Sequence, residues 1–303
     1  MSRATLAILA FGVIWGAAYL WMKDALLTSE RTLPAGTAVL GVGLFMTARF
    51  GMAALVLGAA CAEARSLRGA WVGGAVLGGL LFGGFLVQLL GLRGIDPAVS
   101  AFLTSLYVVF TVLIARGRRG VLRSPGLLAG IVLATAGAAW IGGPPRLVFG
   151  LSEWLTVFAA VLFAVHIVAT DVVTKRTSPL PVTMTSLVWV TGASAGVTGI
   201  ALACDPGAAA AIPGLVTDPG WTVPVLLSAI LATSLALTLM NRYQRELTPV
   251  RAAILYAFEP VWAAVFAVGF GRADATGWLW FGGSCLVVGN LIAGFARPEV
   301  VDS

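Results

Sequence analysis

The sequence predicts an all-α polytopic membrane protein: ten transmembrane helices arranged as two inverted five-helix repeats. Three observations lead there: its hydrophobic content, ten apolar stretches of membrane-spanning length, and a weak internal repeat. Hydrophobic residues make up 59% of the 303 and charged residues 11%, where an ordinary soluble domain carries about 25% charged residues. Mean hydropathy is +0.97. No water-soluble fold hides that much apolar surface, so lipid is the expected solvent for most of the chain.

A bilayer core about 30 Å thick asks for roughly 20 apolar residues in a helix. Such stretches run over 4–22, 37–60, 70–92, 97–115, 125–142, 153–174, 181–203, 223–242, 250–269 and 277–295. A membrane barrel would show strands of about 10 residues with alternating polarity. These runs are longer and apolar on all sides, so helices are expected. The first lacks the small-residue cleavage pattern of a signal peptide, and nine more spans follow it. The gaps between spans are short and hold no soluble domain, which places function within the membrane.

The basic residues set an orientation. With the N-terminus in the cytoplasm and alternating sides, the cytoplasmic gaps hold 13 of the 19 Lys and Arg, from Arg3 through the Arg116–Arg123 cluster to Arg297. The opposite side holds five: Lys23, Arg31, Arg93, Arg146 and Arg272. The positive-inside rule then puts both termini in the cytoplasm and the chain in the cell (inner or plasma) membrane. The net charge of +6 is a topology signal, and no nucleic-acid partner is expected. Cys61, Cys204 and Cys285 give no disulfide framework. A single histidine, His166, excludes a multi-histidine metal site. No metal and no cofactor are expected.

Residues 97–142 align with 249–294 at a constant offset of 152, with Pro97 on Pro249, Ala101 on Ala253, Gly130 on Gly282 and Gly137 on Gly289. Five spans per half is an odd number, so the second half inserts upside down. Inverted repeats recur in secondary transporters, with the site near the midplane where the repeats meet.

The stretch Ala232–Gly269 reads ATSLALTLMNRYQRELTPVRAAILYAFEPVWAAVFAVG. It resembles the signature of the EamA family in the drug/metabolite transporter superfamily: an Arg- and Gln-bearing end of span eight, Thr-Pro, Arg-Ala-Ala, and Glu-Pro in span nine. The first half is similar, with FGVIWGAAYLWMK in span one, Arg-Phe in span two and PAVSAFLTSLYVVFTVL in span four. Tyr107-Val108 stands where many relatives carry a proline, and Asn241 where glutamine is frequent. The resemblance implies two EamA-like repeats, 1–146 and 147–303, forming one structural unit. It also implies a facilitated or gradient-linked carrier of small metabolites, often an exporter, with protons a candidate coupling ion. An amino acid or related compound is the expected cargo; a hydrophobic cation or drug is the alternative.

Charged residues inside a bilayer are expensive, by about 3 kcal/mol on insertion scales, and need a reason. Arg49 lies mid-span two and Glu259 mid-span nine. Each is a candidate for cargo binding, coupling or gating, and each reads equally as half of a structural ion pair. Pro260 removes a helical donor next to Glu259, Tyr256 lies one turn before it, and the repeat places Tyr107 at the matching position. Trp15 and Tyr19 form an i, i+4 pair in span one. Gln88 lies on a stripe with Gly84 and Gly91, and Asn241 on one with Ser234 and Thr238. These stripes line a pore or glue helices together. His166, mid-span six, is a candidate proton relay whose plainer reading is a hydrogen-bonded neutral imidazole. The small-residue pairs Gly12/Gly16, Gly74/Gly78, Gly79/Gly83, Gly126/Gly130 and Gly192/Gly196 are read first as packing.

Other classes fit less well. A Walker A loop is absent, since neither Lys23 nor Lys175 follows glycine. Gly192-Ala193-Ser194-Ala195-Gly196 matches the nucleophile-elbow spacing but lies in an apolar helix instead of a strand–helix turn, so no enzyme is expected. A channel, a lipid flippase and a structural scaffold stand as rivals to the carrier.

Overall fold

The computed structural model describes residues 3–122, 124–140, 149–247, 249–256 and 258–295. The boundary expected at 146/147 and the basic residues Arg123, Arg146 and Arg297 lie outside them. Among the described residues every regular element is helical. Six segments are long and apolar enough to cross a membrane: Ala38–Ala60, Trp71–Leu92, Pro97–Ala115, Leu151–Arg176, Pro179–Cys204 and Pro219–Gln244. Shorter apolar helices follow over Pro125–Trp140, Pro206–Thr217, Glu259–Gly269 and Gly277–Ala293.

Helix α1 (Arg3–Thr32) has 30 residues. At 1.5 Å per residue it is about 45 Å long and overshoots a bilayer core. Its far end is Lys23–Thr32, past the apolar run 4–22. Helices α2 (Ala38–Ala60) and α3 (Trp71–Leu92) are continuous. The next span is broken into α4 (Pro97–Thr104) and α5 (Tyr107–Leu122). After α6 (Pro125–Trp140) come the long helices α7 (Leu151–Arg176) and α8 (Pro179–Cys204). The expected 203–222 gap is itself largely helical, with a tight turn at Pro206–Ala211 and α9 (Ile212–Thr217). The eighth expected span is α10 (Pro219–Leu227), a π-helical turn (Ser228–Leu235) and α11 (Ala236–Gln244). The ninth is broken into α12 (Pro249–Tyr256) and α13 (Glu259–Gly269), and α14 (Gly277–Phe295) closes the chain.

The sequence marks the break in span nine by Pro260 and carries no such mark for the one in span four. Pro260 has no N–H for the Tyr256 carbonyl one turn back, so α12 ends there. At the other break there is no proline. Ser105 Oγ donates to the Phe102 carbonyl at 2.7 Å, competing with the backbone ladder. Asn290 Nδ2 of α14 donates to Ser105 O and Oγ, both at 3.1 Å.

Packing follows the small residues. Helix α3 lies on α7 and α8, α2 on α8, and α1 on α10 and α13. A Cβ on Gly16 would come within 2.6 Å of Trp262 Cβ and 2.8 Å of Ala263 N, which brings α1 and α13 nearly backbone to backbone. The same closeness joins α6 to α14: a Cβ on Gly130 would stand 2.5 Å from Ala293 N and 2.7 Å from Gly289 O, and one on Gly137 2.5 Å from Gly282 O. Gly74 and Gly78 meet α8 in the same way, whereas Gly12, Gly79, Gly192 and Gly196 face nothing within 4 Å.

One end of the bundle is cross-linked by the overshoot of α1. Lys23 Nζ donates to the carbonyls of Leu92, Arg93 and Ile95 at 2.8–3.0 Å, capping the C-terminus of α3. Arg93 pairs with Glu30 at 2.6 Å and Arg272 with Asp24 at 2.9 Å. The remaining ion pair among the described residues, Lys175–Asp171, stays within α7.

Candidate functional site

A central cavity with about 50 Å³ of free space lies where the broken spans pass α1, α2, α3 and α7. That is room for roughly four water molecules. Each helix presents one face to it. From α1 come Trp15, Ala18, Tyr19 and Met22, from α3 Leu81, Phe85 and Gln88, and from α7 Phe163, His166 and Ile167. These are i, i+3, i+4, i+7 stripes. Arg49, Thr104, Tyr107, Met240, Tyr256 and Glu259 complete the wall.

The cavity has two unlike ends. At one, Glu259 opens α13 and is 6% exposed. A carboxylate in the first turn of a helix is stabilised by the N-terminal backbone dipoles. It faces the hydroxyls of Tyr19 and Tyr107. Gln88 Nε2 donates to the Tyr19 hydroxyl at 3.1 Å and to Thr104 Oγ1 at 3.0 Å. Tyr19, accepting from Gln88, keeps its own proton for the carboxylate. The Tyr107 hydroxyl faces Glu259 and has no hydrogen-bond partner among the described residues. Tyr256 stands 6.2 Å from Trp15 and 6.4 Å from Tyr107 between ring centroids, so this end is walled by aromatic rings. The Tyr256 hydroxyl donates to Gln244 Oε1 at 2.8 Å, and Gln244 Nε2 donates to Ile167 O at 2.9 Å.

At the other end, Arg49 is 2% exposed. Its Nε donates to Thr233 Oγ1 at 2.7 Å, and Nη1 points at the Met22 sulfur at 3.2 Å. The guanidinium lies 4.6 Å over the Phe85 ring and 5.2 Å from Phe50, a cation–π setting. Phe163 packs edge-on against Phe85 at 5.2 Å. None of the ion pairs among the described residues includes Arg49 or Glu259. Arg49 and Glu259 are therefore not a structural pair in this conformation.

Of the sequence-picked residues, Trp15, Tyr19, Arg49, Gln88, Tyr107, His166, Tyr256 and Glu259 meet at this cavity. Asn241 does not line it. Asn241 Nδ2 donates to Thr183 Oγ1 at 2.7 Å and ties α11 to α8. The π-turn explains the difference: a stripe drawn at 3.6 residues per turn through Ser234, Thr238 and Asn241 crosses a segment wound more loosely, and Met240 faces the cavity instead. His166 Nδ1 reaches Thr170 Oγ1 at 3.5 Å, and Nε2 has no partner among the described residues. Met22, Thr104, Phe85 and Phe163 were not singled out in the sequence. Met22 and Phe85 sit one helical turn from Tyr19 and Gln88, so extending those stripes would have found them. No group of three or more His, Cys, Asp or Glu suited to a metal occurs among the described residues.

Long apolar helices in this number and arrangement define a polytopic integral membrane protein. Residues 150–295 match the EamA-like transporter family. Over that second half the chain is similar to a transporter family of the drug/metabolite transporter superfamily. No curated protein matches it. Sixteen chains of solved structures do. One crystal structure superposes with a TM-score of 0.65 at 19% identity, covering 100% of this chain and 99% of its own, a likeness of fold alone.

Proposed function

We propose that the protein is a secondary transporter that exports a small amino acid or related zwitterion by alternating access around this cavity. The observation that carries the reading is the unpaired arrangement of Arg49 and Glu259 in one closed space. A zwitterion complements both ends: its ammonium meets Glu259 and the aromatic rings, and its carboxylate meets the guanidinium. With room for only a few waters, this conformation is nearly occluded, and the walls part to admit cargo.

The halves 1–146 and 147–303 act as inverted repeats of five spans each. Two observations support this. The breaks fall at matching positions, with Tyr107 and Glu259 each opening the second half-helix. Exchange by 152 residues turns the Gly130–Gly289 contact into Gly282–Gly137, which is also made. Both termini face the cytoplasm, as the basic residues require. Glu259 also carries the coupling proton.

The mostly apolar, aromatic wall favours a second reading, a hydrophobic-cation carrier, which the buried guanidinium opposes. The test is uptake and counterflow in proteoliposomes across amino acids and hydrophobic cations, with and without a pH gradient. Saturable counterflow of an amino acid that is lost in Arg49→Gln is expected. Transport of cations alone would overturn the cargo, and non-saturating conductance the carrier. Glu259→Gln transporting at the normal rate with normal pH dependence would remove the coupling role.

A further inference from the structure

We infer that the π-turn Ser228–Leu235, through Thr233, is the positioning element of the Arg49 subsite, holding the guanidinium with its Nη groups presented to an anionic group of the cargo. This rests on the reading of Arg49 as the anion-binding end of the cavity. A π-turn has poorer hydrogen-bond geometry than an α-helix and recurs at functional positions, so its presence calls for a local cause. Here the looser winding sets two consecutive residues against the cavity helices. The Ala232 carbonyl accepts Trp15 Nε1 of α1 at 2.8 Å. Thr233 Oγ1 accepts Arg49 Nε of α2 at 2.7 Å.

The chemistry at Thr233 is one-directional. Its hydroxyl proton goes to the Ser228 carbonyl, five residues back, at 2.8 Å. Its lone pair is thereby turned outward to Arg49. Guanidinium is planar, so fixing Nε–H fixes the whole fork. The Phe85 ring holds one face at 4.6 Å. What remains is Nη1 against a thioether, a weak acceptor, and Nη2, which has no protein acceptor among the described residues. Arginine stays charged in proteins, and a buried one is completed by a strong acceptor. A carboxylate, taken by the two Nη groups, meets that need.

The π-turn also fixes the span between the two ends. Trp15 stands beside Tyr256 at the Glu259 end, and Arg49 forms the other. Neighbouring residues of one turn anchor both.

The test compares Thr233→Val, which keeps shape and removes the acceptor, with Thr233→Ser, which keeps it; Thr233→Ala replaces the valine variant should that one misfold. The first readout needs no cargo. In selectively 15N-arginine-labelled protein, the Nε–H resonance of Arg49, assigned by its loss in Arg49→Lys, is expected to shift in the valine variant and stay in the serine variant. An unmoved resonance in the valine variant overturns the positioning role, whatever the protein transports. The second uses the amino acid giving the strongest counterflow and its decarboxylated amine. For the amino acid, KM is expected to rise about 10-fold in the valine variant, the scale of one charge-assisted hydrogen bond. The maximal rate, the serine variant and competition by the amine are expected to stay near wild type. A resonance that shifts while KM holds overturns the anion subsite and leaves Thr233 a structural brace. If no amino acid is carried at all, the proposed cargo fails, and the resonance still decides the positioning.

Discussion

Two spans break at matching places and by different means. In the first, the break is made by side chains: Ser105 Oγ competes for the Phe102 carbonyl, and Asn290 clamps Ser105 from α14. In the second it is covalent, since Pro260 has no proton to give. The first delivers a neutral phenol, Tyr107, to the cavity. The second delivers a carboxylate, Glu259, at a helix N-terminus where backbone dipoles favour it. One backbone geometry therefore serves two chemistries, and the charge sits where the break cannot heal.

The comparison can be broken by four changes, in falling order of effect. Glu259→Gln removes the charge from the covalent break, and counterflow is expected to fall about 100-fold, the size expected for losing a buried charged partner, while the protein still elutes as a folded species. Asn290→Leu unclamps the other break, removing the side-chain donor to Ser105 O and Oγ and leaving the Val108 N–H on that carbonyl; a loss of about 1–2 kcal/mol is expected in denaturant unfolding. Should that variant melt as wild type does, the first break holds itself. Tyr107→Phe deletes a hydroxyl that has no hydrogen-bond partner among the described residues. Stability is expected to change by less than about 0.5 kcal/mol, and only transport kinetics to respond; a larger thermal shift would show a hidden structural bond. Arg272→Gln, far from both breaks, removes a half-exposed pair with Asp24. Its expected effect is about 0.2 kcal/mol with transport unchanged, shrinking further in high salt.

Much of this site was readable before any coordinates. Arg49 and Glu259 stand out because charge in an apolar run has no cheap explanation. Trp15 and Tyr19 lie on one helical face by spacing alone, and Pro260 announces its break. The rest depended on information that a single helix period does not carry. The break at Ser105 has no proline, and its brace comes from Asn290, 185 residues away. The π-turn has no composition of its own, so a regular helical period places Asn241 on the cavity and gives Thr233 no signal. Whether Arg49 and Glu259 pair is a matter of how four helices pack, and the sequence leaves it open.

Helix α1 carries two features on one rigid rod. Trp15, Tyr19 and Met22 line the cavity. Lys23, Asp24 and Glu30, on the next turns, fasten the end of α3 and the loop before α14. A helix does not bend easily between adjacent turns, so under the proposed function a tilt that follows cargo arriving beside Tyr19 would pull directly on those fastenings. The rod would then work as a lever, with its fulcrum where Gly16 lets it touch α13 and its long arm ending in the bonds of Lys23, Asp24 and Glu30. On that proposal, filling the cavity and loosening that end of the bundle would be one mechanical event.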